Sequence, residues 1–246
     1  MHRSEQLRAM FAASLPQPAL LAPVADVLWI GMARLDDWMP WLDQATDLLD
    51  AAERGRALRK HRPLDRDGLI LSYALHRLFI GAWMGIDPAS VALARDGEGR
   101  PLVHGARLST SLSHAESAVA FAVHAGGAVG IDVEGVHRSP IMEEIAARVG
   151  HADELRALAG RAAAERHEQL LKLWVRKEAY LKAVGVGLAW DMHTFSAPVG
   201  VALPLLGRND TVVLTEIDAL TGHVVAVAAA AEARLLPMVL VPGQSA

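Results

Sequence analysis

The sequence predicts an α+β protein with two similar halves, each formed by a long helix packed on a small antiparallel sheet. Two long helical patterns, at residues 67–83 and 169–184, carry this prediction. After each helix come an irregular link and then apolar strands, so the chain repeats one order of elements. We therefore divide it into residues 1–126 and 127–246, with a functional site expected in the cleft between the halves. The alternative interpretation is that helix followed by hairpin is a common order and recurs here by chance.

The elements of the first half follow from hydrophobic spacing and turn residues. A helix is predicted over residues 65–84, because several leucines and Phe79 recur at helical spacing and Asp87-Pro88 ends the pattern. The other predictions are a strand over 24–35, a charged helix over 42–62, a hairpin over 91–102, and strands over 109–114 and 118–124.

The same criteria predict the second half. The strand at residues 129–134 follows Gly126-Gly127, a turn that we expect to join it to the preceding strand as a hairpin. Gly185 and Gly187 are expected to end a helix that begins near residue 165. Shorter helices are predicted over 141–149 and about 152–158, and a final hairpin over 212–217 and 223–230.

Composition bounds the class of protein. The chain of 246 residues contains no cysteine, which excludes disulfides, thiolate metal sites and cysteine nucleophiles. Its formal charge of −4 argues against a general nucleic-acid binder, and no apolar run reaches the ~20 residues of a membrane span. We also find no secretion signal at the N-terminus. These features favour a cytoplasmic, monomeric enzyme that needs neither nucleic acid nor a membrane.

Two segments carry candidate chemistry. Asp132 and Glu134 are two residues apart in an apolar run, so they would share one face of a strand. Glu178 and Lys182 are four residues apart and would share one face of a helix. Three carboxylates facing one point, with a lysine beside them, suit Mg²⁺ acting on a phosphate ester. Taken separately, each segment has a plainer explanation, namely an edge strand with a polar face and a helix ion pair worth about 0.3–0.5 kcal/mol.

In these segments the chain resembles the Sfp-type 4′-phosphopantetheinyl transferases, the long, two-halved class that activates carrier proteins. The family's apolar-Gly-apolar-Asp-apolar-Glu strand is present at residues 129–134, and its Trp/Phe-x-x-Lys-Glu-Ala/Ser-x-x-Lys helix at residues 174–182. Three weaker blocks stand in the expected order: Arg100-Pro101, Ser111-Leu112-Ser113-His114 and Gly185-Val186-Gly187-Leu188. Arg100 and Ser111 replace the lysine and asparagine of the family pattern. The resemblance covers about residues 45–230.

The resemblance implies a pseudo-twofold arrangement of the halves and a specific reaction. The 4′-phosphopantetheine arm of coenzyme A would pass to a serine of an apo acyl or peptidyl carrier protein, with Mg²⁺ and with release of 3′,5′-ADP. Asp132, Glu134 and Glu178 would bind the metal, with general base as a further role for Glu178. Lys182 would stabilise the charge on the α-phosphate.

The resemblance also implies contacts with coenzyme A. The expected set is Arg66 and Arg100 at the 3′-phosphate, Ser113 and His114 in the Ser-His block, Lys182, and Lys177. For Lys177 a position that faces only solvent is an equal alternative, because it points about 100° away from Glu178 around the helix.

Two other functions stay open at this point. A non-catalytic module that binds carrier proteins could have the same fold, although such a module would not need the three carboxylates together. An unrelated Mg²⁺-dependent phosphoryl transferase or nucleotide hydrolase is the third candidate, and it has no support from a G-x-x-x-x-G-K-[ST] loop, which the chain lacks.

Overall fold

A computed structural model describes residues 5–16, 26–186, 190–207 and 209–244. Its helices are α1 (Glu5–Ala13), α2 (Leu35–Trp38), α3 (Leu42–Leu48), α4 (Ala51–Leu58), α5 (Pro63–Met84), α6 (Met142–Val149), α7 (Ala152–Ala157) and α8 (Ala163–Val184). Its strands are β1 (Val27–Arg34), β2 (Leu93–Arg95), β3 (Pro101–Val103), β4 (Ser109–His114), β5 (Ala118–His124), β6 (Gly130–Gly135), β7 (Ala202–Pro204), β8 (Thr211–Glu216), β9 (His223–Ala229) and β10 (Arg234–Val239). The predicted α+β class is confirmed.

Two four-stranded sheets organise these elements. The first has the order β10-β1-β5-β4 and the second the order β6-β9-β8-β7, while β2 and β3 form a separate hairpin. Every pair is antiparallel except β1 with β10. The two sheets share a set of three strands, β1-β5-β4 in the first and β6-β9-β8 in the second. In each set the first strand comes before the long helix in the chain, and the other two come after it. Whether a twofold axis relates the two sets stays a prediction.

The core lies in three apolar layers. Alternate residues of β1 face opposite sides, so that Trp29 packs with Phe79 of α5, whereas Leu28 and Ile30 pack with Ile131 of the second sheet. The far side of the second sheet packs on α8. The layers therefore run helix, sheet, sheet, helix, and the two sheets bury their inner faces against each other.

Two predictions about connections are wrong. The turn at Gly126-Gly127 does not close a hairpin, because β5 pairs with β1 and β4 while β6 pairs with β9. The turn instead carries the chain from one sheet to the other, which buries the apolar residues of β5 on both faces. The predicted helix over 42–62 is two helices, because Asp50 interrupts it and caps α4 through a capping box with Glu53.

The C-terminal strand was not predicted. β10 pairs in parallel with β1, so the chain returns to the first sheet after completing the second. The division at residues 126 and 127 stays a prediction, but residues 234–239 belong structurally to the first sheet and not to the second. The hairpins predicted over 91–102 and 212–230 are present as β2–β3 and β8–β9. No helix within the described residues is long and apolar enough to span a membrane.

Candidate active site

The site lies where an edge strand of each sheet meets the other. Ser111 and Ser113 share one face of β4, at the edge of the first sheet. The hydroxyl of Ser111 accepts a hydrogen bond from the backbone N–H of Ile131 at 3.1 Å, and that of Ser113 donates to Oδ1 of Asp132 at 2.6 Å. Both serines therefore connect β4 to β6 and place the cleft between the two halves.

Close packing of α8 on β6 brings the two motifs together. A Cβ atom added at Gly130 would lie 1.9 Å from the carbonyl oxygen of Ala179, so only glycine permits the helix to cross at this distance. Asp132, two residues further along β6, accepts a hydrogen bond from Nζ of Lys182 at 2.7 Å through the same Oδ1 atom. The helix ends at Gly185, which is left-handed with φ +85°, whereas Gly187 and Leu188 lie outside the described residues.

Each of the three carboxylates has one unused oxygen. Oδ2 of Asp132, Oε2 of Glu134 and Oε1 of Glu178 are buried and lack a hydrogen-bond partner among the described residues. Buried carboxylates without partners are costly, and a cation among them removes that cost. Oxygen ligands of this kind suit a hard divalent ion such as Mg²⁺. In the described part of the chain, however, no three His, Asp or Glu side chains already stand in ligating positions, so a bound ion would require them to adjust.

The carboxylates also disturb one another's ionisation. Burial, followed by repulsion from Asp132, raises the pKa of Glu178 to about 7, although Lys182 acts in the opposite direction. Burial likewise raises the pKa of Glu134, against the attraction of Arg138, whose Nη1 donates to its Oε1 at 2.7 Å. The cluster thus holds more negative charge than its own cations neutralise.

Two cavities adjoin this cluster, and a third lies beside His114. The largest, about 630 Å³, is lined by Glu134, Arg138 and His114 together with apolar residues such as Leu64. A second, of about 310 Å³, is lined by Glu178 and Lys182 and by the residues Arg95, Arg100, Pro101 and Ser111. A third, of about 380 Å³, contains the cations Arg56, Arg59 and Lys60 with Tyr73 and His114. The predicted residues Arg100 and His114 therefore lie in the cleft with the carboxylates.

The surroundings of His114 favour its neutral form, although the residue is exposed at the surface of the cleft. Desolvation by the surrounding cleft, and then the cations Lys60, Lys182 and Arg95, lower the pKa of its imidazole to about 4. A neutral imidazole carries one N–H donor and one acceptor, so His114 can donate to a phosphate oxygen without adding charge.

Arg95 on β2 is a site residue that the sequence analysis missed. Its Nη1 donates to the carbonyl oxygen of Gly99 at 2.6 Å, but Nε and Nη2 are buried and have no acceptor among the described residues. The guanidinium stacks on Tyr73 at 4.9 Å, and Arg56 lies 5.4 Å from the same ring. Burial lowers the pKa of Arg95, and the unused donors favour an anion in this cavity. Its place on the predicted hairpin beside Arg100 was the only signal in the sequence.

Lys177 and Arg66, which were predicted to contact coenzyme A, do not lie in the cleft. The prediction that Lys177 faces a phosphate or solvent is wrong, because its side chain is completely buried. Nζ donates to the carbonyl oxygens of Val149, Met192 and Phe195 at 2.6–2.8 Å and pairs with Glu154 at 2.7 Å. Lys177 therefore fixes α8 to the loop at residues 190–197.

Arg66 is the second predicted contact outside the cleft. Its Nε pairs with Oδ1 of the adjacent Asp67 at 3.1 Å, and the residue lines none of the three cavities. Arg66 lies on the first turn of α5, and its side chain pairs with a neighbour on its own helix.

Comparison with known proteins identifies the class. Residues 128–220 match the model of the 4′-phosphopantetheinyl transferase superfamily. The chain is 28% identical over 180 residues to the 4′-phosphopantetheinyl transferase HetI of Nostoc sp., across 71% of this chain and 76% of that protein. It is 29% identical over 212 residues to a phosphopantetheinyl transferase of Thraustochytrium sp., across 77% and 73%. It is 31% identical over 148 residues to the 4′-phosphopantetheinyl transferase psf-1 of Bacillus pumilus, across 60% of each.

These matches confirm the resemblance found in the sequence. The protein is a transferase, and its residues 128–220 belong to the 4′-phosphopantetheinyl transferase superfamily.

Proposed function

We propose that this protein transfers the 4′-phosphopantetheine arm of coenzyme A to a serine hydroxyl of an apo acyl or peptidyl carrier protein, in the presence of Mg²⁺ and with release of 3′,5′-ADP. The observation that carries the proposal is the set of three unused carboxylate oxygens beside Lys182, between cavities rich in arginine and lysine. We further propose that it acts as a cytoplasmic monomer without a nucleic-acid or membrane partner.

Asp132, Glu134 and Glu178 would hold the metal ion. The unused oxygen of each side chain supports this assignment, because a hard cation would satisfy all three. Bound there, Mg²⁺ would neutralise charge on the diphosphate of coenzyme A.

The cations of the cleft would bind the rest of the nucleotide. Lys182, Arg95 and Arg100 line the cavity that contains Glu178. Arg56, Arg59 and Lys60 line a second cavity together with Tyr73 and His114. Coenzyme A carries a diphosphate and a separate 3′-phosphate, which matches two neighbouring groups of cations. Lys182 would stabilise the negative charge that develops on the leaving group.

The acceptor serine needs a proton acceptor and its own entrance. A carboxylate whose pKa lies at about 7 is matched to accept a proton near neutral pH, which supports Glu178 as general base. Its unused oxygen supports a role as metal ligand, alone or in addition. In phosphoryl transfer the attacking and leaving oxygens are roughly in line. The 630 Å³ cavity at Glu134 would admit the acceptor, because Arg56, Arg59, Arg95, Arg100 and Lys182 lie in the other two cavities and only Lys60, of the cations proposed for the nucleotide, also lines this one.

Mass spectrometry tests the proposal directly. Purified apo carrier proteins are incubated with the protein, coenzyme A and Mg²⁺, and the expected result is a gain of one phosphopantetheine arm on the carrier. Samples with EDTA in place of Mg²⁺ should show no gain. Binding of a carrier without any mass gain would favour the non-catalytic module instead.

A further inference from the structure

The three carboxylates of the cluster are held in different ways. Oδ1 of Asp132 has two donors, the hydroxyl of Ser113 and the ammonium of Lys182, at 2.6 and 2.7 Å. Oε1 of Glu134 has one donor, Nη1 of Arg138, at 2.7 Å. In both residues the second oxygen is buried and unused. The protein thus fixes one oxygen of each strand carboxylate and leaves the other available.

Arg138 reaches Glu134 because the chain turns sharply after β6. Glu134 is on the strand, Gly135 ends it, and residues 136–141 form a 3₁₀ turn that returns Arg138 over the strand end. The pair therefore differs from an ordinary i,i+4 pair on a helix surface, since its two members belong to different elements. The arginine is 41% exposed and lines the 630 Å³ cavity, whereas the glutamate is only 15% exposed.

Two roles for such an arginine make opposite predictions. If Arg138 competes with the metal ion for Glu134, its removal should tighten metal binding. If it orients the carboxylate, its removal should weaken metal binding, because Glu134 would lose the contact that restrains it. The hydrogen-bonding pattern favours the second role, since Arg138 occupies Oε1 and leaves Oε2 unused within the cluster. Residues that hydrogen-bond to metal ligands commonly act in this way.

We propose that Arg138 is a positioning residue of the cation site, which holds Oε1 of Glu134 so that Oε2 is presented to the divalent ion. The inference rests on the proposed function, because it assumes that Glu134 is a ligand of that ion. It adds a residue outside the motif residues, and it assigns to the turn after β6 a part in metal affinity.

Metal affinity measured without turnover tests the inference. Mn²⁺ is titrated into the protein at saturating coenzyme A with no carrier protein present, and free Mn²⁺ is counted by electron paramagnetic resonance. Arg138→Ala should raise the Kd for Mn²⁺ about tenfold or more, whereas Arg138→Lys should restore much of the affinity. Arg148→Ala is the matched control, since Arg148 is an exposed arginine on the neighbouring helix α6 and should leave the Kd unchanged.

Two further measurements separate positioning from a structural role. The thermal unfolding of Arg138→Ala and its Kd for coenzyme A in EDTA should both equal those of the wild type. Equal or tighter Mn²⁺ binding by Arg138→Ala would overturn the inference and leave the proposed function intact. If the wild-type protein itself binds no Mn²⁺ with coenzyme A, the inference fails together with the metal assignment of the proposed function.

Discussion

The two halves share a framework but differ in charge. α5 and α8 each contain 22 residues and each ends at a left-handed glycine, Gly85 or Gly185. Eight residues before that glycine stands a buried cation, Arg77 in the first half and Lys177 in the second. Gly31 on β1 and Gly130 on β6 are both closely packed: a Cβ atom at Gly31 would meet the rings of Phe121 and Phe79, and one at Gly130 would meet the backbone of Ala179. The two long helices thus correspond in length, in their terminal glycine and in the position of the buried cation.

The buried cations have corresponding partners. Nε of Arg77 donates to Glu53 at 2.6 Å, and Nζ of Lys177 pairs with Glu154 at 2.7 Å. Each glutamate is the third residue of a short helix, α4 or α7, and completes a capping box with the residue before that helix. In each half, one glutamate therefore caps the short helix and also pairs with the buried cation of the long helix. The recurrence of this network argues against a chance repeat of helix and hairpin.

The functional positions show the difference. Two and four residues after the glycine on the strand, the first half has Ala33 and Leu35, whereas the second has Asp132 and Glu134. On the helix, Leu78 and Ala82 stand where the second half has Glu178 and Lys182. The first half shows that the framework is complete with apolar residues at all four positions. The framework therefore does not require the charged residues of the second half, which is consistent with the catalytic roles proposed for them.

The largest expected effect concerns the part that the halves share. Lys177→Met would leave Glu154 and three carbonyl groups buried without their donor, so we expect a loss of about 3–5 kcal/mol in the free energy of unfolding. Arg77→Met should cost a similar amount in the first half. Chemical denaturation measures both, with Lys172→Ala, which removes an exposed helix pair, as the control. A loss below about 1 kcal/mol in either buried variant would break the correspondence of the networks.

The next effect concerns the part that differs. Asp132→Ala gives the second half the residue of the first, and we expect kcat to fall by at least about 10² while the fold is retained. The measurement is the rate of mass gain on a carrier protein at saturating coenzyme A and Mg²⁺. Near-normal turnover would show that the acidic position is as dispensable in this half as in the other.

An element or a residue contact could be predicted from the sequence where neighbouring residues determine it, and could not where distant segments do. The long helices were predicted correctly, because apolar spacing and terminal glycines are local. The structure also brings Asp132 and Glu178 close together, as expected from the motifs, while their roles stay predictions. β10 was missed, since its partner β1 lies about 200 residues away in the chain. Lys177 was misplaced for a similar reason. Helical geometry gives its direction, but not the three carbonyl groups that other segments place there.

The third prediction is that a substitution at a buried residue increases the free energy of unfolding, whereas most such substitutions decrease it. The pKa of Glu178 is raised from 4.5 to about 7, so its folded form binds the proton more tightly than the unfolded chain does. Its ionisation therefore lowers stability as pH rises from 4.5 through 7, with the full cost above 7. In EDTA at pH 8, Glu178→Gln should unfold with a free energy about 1–3 kcal/mol higher than the wild type.

That gain should vanish below pH 4.5 and should accompany a loss of roughly 10² in kcat at pH 7.5 with Mg²⁺. Denaturation and rate measurements on one preparation check both. If the variant is instead no more stable than the wild type and fully active, Glu178 has no part in the reaction, and its position would be as dispensable as that of Leu78 in the first half.

The smallest expected effect is on the Kd for coenzyme A. It compares two residues of the first half, Arg95 and Arg66, which are alternative candidates for binding a phosphate. Arg95→Gln should raise the Kd for coenzyme A about tenfold or more, because two buried donors of Arg95 lack acceptors. Arg66→Ala should change that Kd by less than about twofold, since Arg66 pairs with Asp67 outside the cavities and an exposed pair contributes little. Isothermal titration calorimetry without a carrier protein measures both constants. Because both variants remove one positive charge, a general loss of attraction for an anion would weaken them equally, and only a specific contact separates them.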